Sequence, residues 1–161
     1  MRSTMLWMPH AEYVALREHG EAAYPHESCG VLLGSTRGGD RVVRRAVPCR
    51  NVHAASPDTR YQLDPLEIVR LEREARAVGE ELVGFYHSHP DHPARWSATD
   101  LAEAHWVGCS YVITRIARGR AEETSAFLLE GRDEDDKRFA DEDLRVLDAA
   151  EEAAELEAIS P

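Results

Sequence analysis

Two histidines stand two residues apart in the run from His87 to Pro90, HSHP. Residues i and i+2 of an extended strand point to the same face, so both imidazoles would leave the chain on one side. Two imidazoles that converge on one space are the start of a metal site, although an HxH pair alone is weak support for one. Asp100 follows and adds a carboxylate. Two histidines, one aspartate and a fourth position left for water are typical of a catalytic rather than a structural zinc site.

Ser97 and Asp100 also have a purely structural interpretation. A serine at a helix N-cap with an acid three residues later is a capping arrangement, and this pair alone is more often a cap than part of an active site. The two interpretations are compatible, because a capped first turn fixes the direction in which both side chains point.

The joint pattern resembles the signature of one enzyme family. HSHP at 87–90, six further residues, Ser97, two residues and Asp100 resemble the motif of the JAMM metalloproteases, also called the MPN or Mov34 family. The stretch from Pro25 to Gly34, PHESCGVLLG, resembles the upstream part of that pattern, in which a glutamate precedes an apolar strand. The resemblance extends over roughly residues 11–129.

This resemblance implies a role for each of five side chains. His87, His89 and Asp100 match the zinc ligands, Glu27 matches the general acid/base, and Ser97 matches the residue that hydrogen-bonds the tetrahedral oxyanion. The roles are chemically coherent, because zinc can bring the pKa of a bound water to about 7, where a nearby carboxylate can take its proton. A hydroxyl donor aimed at the developing oxyanion would add preorganised stabilisation.

The surrounding elements place the histidines at the end of a strand and the aspartate near the start of a helix. Residues 82–86, LVGFY, indicate a buried strand that leads directly to His87, and residues 97–107 indicate a helix that Gly108 ends. The remaining pattern predicts helices at 11–23 and 64–79, strands at 30–34, 41–47, 111–116, 124–129 and near 144–146, a loop at 48–57 and a short extended piece at 61–63. This mixture favours an α/β sandwich, and the resemblance implies its cytidine-deaminase-like JAMM form, with helices flanking a mixed, curved β-sheet.

Length and composition predict one domain with a real core. The chain has 161 residues, of which 43% are hydrophobic and 30% charged. We expect a single domain over 1–147 and an acidic tail over 148–161 that is helical if ordered. The three cysteines form no CxxC pair and are expected to be free thiols.

The net charge of −11 opposes binding to nucleic acid, where affinity depends on Lys and Arg displacing counterions. A solvated acidic surface is the simplest explanation for the charge, and a salt-loving source would also produce it. No apolar run is long enough to span a bilayer, and the first residues do not form a secretory signal. We therefore expect a cytoplasmic protein without membrane or nucleic-acid partners; the oligomeric state is left open.

The short distance from Asp100 to the next predicted strand leaves no room for a long insertion there. The chain therefore resembles the short stand-alone bacterial members of the family. That resemblance implies a substrate: a ubiquitin-like sulfur-carrier protein, cut after its C-terminal Gly-Gly to release cysteine or another amino acid, with its tail lying as an added strand. The alternatives are a general peptidase for other extended C-terminal segments and a non-catalytic scaffold. The scaffold is disfavoured because all five functional residues are present.

Overall fold

The computed structural model describes residues 4–159, with side chains described as far as residue 154. Its elements in chain order are β1 (Met5–Pro9), α1 (His10–Ala23), β2 (Cys29–Arg37), β3 (Asp40–Cys49), α2 (Pro65–Ala77), β4 (Glu81–Pro90), α3 (Ala98–Glu103), β5 (Ser110–Ala117), β6 (Arg120–Glu130), β7 (Arg138–Leu147) and α4 (Ala149–Ile159). Residues 1–3 and 160–161, the outer ends of the expected domain and tail, lie outside the described residues.

The seven strands form one mixed sheet in the order β1-β3-β2-β4-β5-β6-β7, which closes into a barrel. β1 runs parallel to both β3 and β7, and β4 runs parallel to β5. The other neighbours are antiparallel. The mixed α/β class predicted from the sequence is confirmed, and the curvature of the sheet is strong enough to join its two edges.

The two faces of the sheet carry separate cores. On one face, α2 packs Leu71 and Ala75 against Phe85 of β4 and Tyr111 of β5. On the other face, Leu16 of α1 joins a cluster that includes the next residues of the same strands, Tyr86 and Val112. Alternation along β4 and β5 therefore decides which helix each side chain meets, and places His87 and His89 on the α2 side.

Helix α1 lies very close to the sheet at Gly20. A Cβ at this position would stand 2.7 Å from Cδ1 of Ile116 on β5. Gly20 weakens the predicted helix locally, but its missing side chain permits the close contact between helix and strand.

Strands β2, β4 and β6 are longer than predicted, and three further elements differ from the prediction. β1 was not predicted; its residues Leu6 and Met8 are fully buried, and it closes the barrel between β3 and β7. Helix α3 ends at Glu103 rather than near residue 107: Ala104 is extended and buried, and the Trp106 N–H donates to the Tyr111 hydroxyl instead of to a helix carbonyl. β7 begins at Arg138, well before the predicted residues 144–146.

Residues 61–63 belong to no strand. Cys29, Cys49 and Cys109 are buried free thiols, as predicted. The acidic tail includes the helix α4. Among the described helices, none has the length and apolar character required to cross a membrane.

Candidate metal centre

Strand β4 fixes the two histidines on one face. It extends to Pro90, so both histidines lie within the strand; His87 pairs with β2 and β5, and His89 pairs with β5. Ser88 points to the opposite face, where its hydroxyl accepts a hydrogen bond from the Ser28 N–H at 2.8 Å. The prediction that His87 and His89 share a face is confirmed.

The first turn of α3 brings the carboxylate. The Ser97 hydroxyl accepts from the Asp100 N–H at 3.0 Å, and Oδ2 of Asp100 accepts from the Ser97 N–H at 2.9 Å. The capping interpretation is therefore confirmed, and the cap also turns the Asp100 carboxylate toward the histidines.

The three side chains meet at short distances. Nε2 of His87 lies 3.2 Å from Nε2 of His89. Asp100 places Oδ2 3.1 Å from Nε2 of His89 and Oδ1 3.3 Å from Nε2 of His87. The side chains are 1%, 10% and 10% exposed for His87, His89 and Asp100. Two imidazoles and a carboxylate that are buried and lie within about 3.3 Å of one another form a donor set that could hold a metal ion.

The two imidazoles are oriented in different ways. Nδ1 of His89 lies 2.8 Å from the Pro93 carbonyl oxygen, a contact that requires the proton on Nδ1 and leaves the Nε2 lone pair free for a metal. Nδ1 of His87 is buried without a hydrogen-bond partner. Its ring is instead stacked on that of Tyr61, with centroids 4.3 Å apart and an interplanar angle of 22°.

Glu27 lies beside this centre, in the loop that leads into β2. The residue is 4% exposed, and its Oε1 is buried without a partner. Ligand atoms of Glu27, His87 and His89 lie within 4.8 Å of one another. Either carboxylate could thus complete a set with the histidines, but Asp100 alone is shown in contact with both Nε2 atoms.

The two carboxylates have pKa values pushed in opposite directions. Burial, opposed in part by His89, raises the pKa of Glu27 to about 8. Burial also disfavours ionisation of Asp100, but hydrogen bonds from His87 and His89 outweigh it and hold the pKa of Asp100 well below its usual range. Two neighbouring acids separated in this way suit different tasks: Asp100 supplies a fixed negative charge, and Glu27 can exchange a proton near neutral pH.

The pKa values of the histidines also diverge. Burial lowers the pKa of His87, which keeps the imidazole neutral, as a metal ligand must be. Burial opposes protonation of His89 as well, but hydrogen bonds to Asp100 and to the Pro93 carbonyl raise its pKa.

Ser97 is exposed at the N-terminus of α3. Its hydroxyl oxygen accepts the Asp100 N–H through one lone pair, which leaves the O–H free to donate. The structure therefore brings His87, His89, Asp100 and Glu27 together, and places Ser97 on the same turn as Asp100 with an available donor.

The sequence interpretation missed Tyr61. It noted residues 61–63 only as a short extended piece, because a loop tyrosine carries no local sign of the ring that it will meet. Tyr61 also lines a cavity of about 580 Å³, together with Phe85 and Tyr111. Trp106 and Glu103 line the same cavity, which adjoins the candidate centre through the Tyr61 ring stacked on His87.

Comparisons with known proteins place the chain in a family. A family model described as prokaryotic homologues of the JAB domain matches residues 9–130. A desampylase from Haloferax volcanii is 43% identical over 97 residues, which cover 60% of this chain and 68% of that protein. A probable TtuB-protein conjugate cleaving protease from Thermus thermophilus is 35% identical over 102 residues, 63% of this chain and 65% of that protein.

A solved structure has the same overall fold. The solution structure of a protein from Desulfitobacterium hafniense is 28% identical to this chain, with a TM-score of 0.73. The match covers 91% of this chain and 97% of that one, so the similarity includes the strands and helices that position the candidate centre.

Proposed function

This chain belongs to the family of prokaryotic homologues of the JAB domain and is a hydrolase of that family, and from this premise we propose that it is a zinc-dependent isopeptidase. The proposed reaction is hydrolysis of the amide bond after the C-terminal Gly-Gly of a ubiquitin-like sulfur-carrier protein. Cysteine, another amino acid or the amine of a conjugated protein would be the leaving group.

The observation that carries this proposal is the spacing of the two Nε2 atoms and the Asp100 carboxylate. Zinc bonds of about 2.0–2.2 Å in a tetrahedron imply distances of about 3.3 Å between ligand atoms. The two Nε2 atoms of His87 and His89 lie 3.2 Å apart, which fits one such edge. The carboxylate lies within the same range of both nitrogens, with Oδ2 3.1 Å from His89 and Oδ1 3.3 Å from His87, so one of its oxygens would complete the set and a fourth position would be left for water or substrate.

Each side chain then has a distinct task. Bound zinc would act as a Lewis acid that lowers the pKa of water and polarises the scissile carbonyl. Glu27, buried and neutral or ionised near physiological pH, would take the proton of the attacking water and return it to the leaving amine. Ser97 would donate its free O–H to the oxyanion. Asp100 would keep its negative charge throughout.

The identity of the substrate rests on the relatives and on the surface beside the centre. The name of the Thermus thermophilus relative concerns a protein conjugate. This name favours a second candidate bond, an amide formed on a protein amine, beside the amide of a free amino acid. The strands neighbour one another around the barrel, but beyond the Ser88 N–H, which donates to the Ser28 oxygen, the end of β4 pairs with β5 alone. An added strand beside the zinc ligands therefore stays our prediction for the carrier tail, and the cavity lined by Tyr61 is the second candidate.

The proposal also covers the fold type, the domain boundary and the location of the protein. We propose that the closed mixed sheet is a form of the JAMM sandwich, and that residues 1–147 constitute one domain to which 148–161 are appended. We also propose a cytoplasmic location, which the three free, buried thiols support.

A direct assay separates the substrate classes. Carrier proteins ending in Gly-Gly, Gly-Gly-Cys or Gly-Gly joined to a lysine side chain would be incubated with the zinc-loaded protein and followed by intact mass. We expect loss of the group beyond Gly-Gly, abolished by a chelator and by Glu27→Gln. Cleavage that persists in Glu27→Gln, or none with any carrier, would overturn the proposal and favour a peptidase for other extended C-terminal segments.

A further inference from the structure

Asn51 is a half-buried residue in the loop between β3 and α2. Its side-chain amide contacts five backbone groups. Its Nδ2 donates to the carbonyl oxygens of Glu27 at 3.1 Å, Arg60 at 3.0 Å and Pro57 at 3.4 Å. Its Oδ1 accepts from the N–H groups of His53 at 3.0 Å and Gln62 at 3.1 Å. One amide thereby joins backbone atoms from both ends of the loop and from the segment before β2.

The chemistry of these neighbours fixes the orientation of the amide. All contacts of Nδ2 are carbonyl oxygens and both contacts of Oδ1 are N–H groups, so a flipped amide would place like groups against each other at every contact. The bond from the His53 N–H to Oδ1 is an Asx turn, for which asparagine and aspartate are suited. Aspartate could accept these bonds, but could not donate to the three carbonyls.

Two components of the candidate centre depend on the hydrogen bonds of the Asn51 side chain, which together are called the Asn51 hub. Glu27 is held through both backbone groups, because its N–H donates to the Pro57 oxygen at 2.7 Å and its carbonyl accepts from Asn51. Tyr61 stands between Arg60 and Gln62, and the backbone of each of these neighbours bonds to the Asn51 amide. The Tyr61 ring covers the face of His87.

We propose that Asn51 is a positioning residue that sets the carboxyl of Glu27 and the ring of Tyr61 against His87. This assignment rests on the proposed function and adds a residue that contacts neither the ligand atoms nor the Glu27 carboxyl. Misplacing a reacting group by about 1 Å can lower a rate by about 100-fold, so a backbone tether of this kind acts on turnover rather than on metal binding.

Asn51→Asp tests the donor half of the hub, because it keeps the shape and Oδ1 but removes the three donated bonds. We expect kcat to fall by about 10- to 100-fold, with KM and zinc affinity within about threefold of wild type. Asn51→Ala should give at least the same loss. Asp58→Asn is the matched control: it lies in the same loop, its partner is His26, and both side chains are more than half exposed. It should leave kcat unchanged.

Amide hydrogen exchange gives a readout that does not depend on turnover. In Asn51→Ala, exchange at His53 and Gln62 should become at least about tenfold faster, while exchange within β4 stays unchanged. Unchanged exchange at both amides, wild-type kcat in Asn51→Asp, or parallel losses of kcat and zinc affinity would each overturn the positioning role. If wild-type protein cleaved no carrier conjugate, the proposed function would fail, and the exchange result would still decide whether Asn51 orders the loop.

Discussion

Replacing Glu27 with glutamine should stabilise the metal-free protein increasingly as the pH rises. The wild-type carboxyl is 4% exposed, its Oε1 has no partner, and burial raises its pKa to about 8. In the unfolded chain the carboxyl ionises near the ordinary glutamate pKa of 4.5. The folded state thus binds one more proton between these values, and wild type loses stability as the pH rises from about 4.5 to about 8. Glutamine does not titrate and is free of this loss.

The size of the effect follows from the pKa difference. One pKa unit corresponds to about 1.4 kcal/mol, and between pH 5 and pH 7 the unfolded carboxyl is mostly ionised while the folded one is mostly neutral. If the two pKa values apply in full, the free energy of unfolding of wild type falls by about 2.5 kcal/mol between pH 5 and pH 7. Residual structure in the unfolded chain reduces this value. We therefore expect the free energy of unfolding of Glu27→Gln, relative to wild type, to grow by about 1–2 kcal/mol between pH 5 and pH 7.

Urea unfolding of chelator-treated proteins at pH 5, 6 and 7 measures this gap directly. Glu18→Gln, the same substitution at an exposed position of α1, controls for the chemistry of the change. A gap that stays constant across the three pH values, or that shrinks as the pH rises, would refute the inference that Glu27 is held neutral. A bound divalent cation would lower the pKa of Glu27, so zinc-loaded wild type should show a smaller pH dependence.

Other substitutions test separate parts of the structure. Asp100→Asn should weaken zinc binding by at least about 100-fold in competition with a chromogenic chelator; wild-type affinity would remove Asp100 from the ligand set. Ser97→Ala should lower kcat by about 100- to 1,000-fold and stability by about 1 kcal/mol, and Ser97→Thr should restore both; a variant with normal kcat would leave Ser97 as a cap only. Gly30→Ala should cost more than about 3 kcal/mol in chemical denaturation, because its Cβ would stand 2.1 Å from the Tyr86 ring. Gly39→Ala, whose nearest neighbouring atom is 3.6 Å away, should cost less than about 1 kcal/mol, and equal costs would contradict the packing argument.

The parts of the site that could be predicted from sequence are those set by local geometry. The two-residue spacing of His87 and His89 needs only an extended strand to place both rings on one face. The direction of the Asp100 carboxylate needs only the capped turn that Ser97 begins. Glu27 was different: its place beside the centre came from resemblance to a family, since β2 and β4 meet only in the folded sheet.

The parts that could not be predicted depend on contacts between distant segments. β1 is a five-residue apolar strand whose partners are β3 and β7, so nothing near it in the chain indicates pairing. Closure of the barrel depends on that strand and was missed with it. Tyr61 and Asn51 lie in a loop whose shape comes from side-chain bonds to the backbone, and composition gives only its turn-forming character.

Zinc binding by the purified protein is the most direct test of the central claim, that His87, His89 and Asp100 form one metal centre. Chelator-treated protein would be titrated with zinc and its metal content measured after removal of excess ion, beside a His87→Ala, His89→Ala double variant. The geometry predicts one zinc per chain for wild type and loss of that zinc in the variant. Wild-type protein that retains no zinc, or a variant that retains as much as wild type, would contradict it.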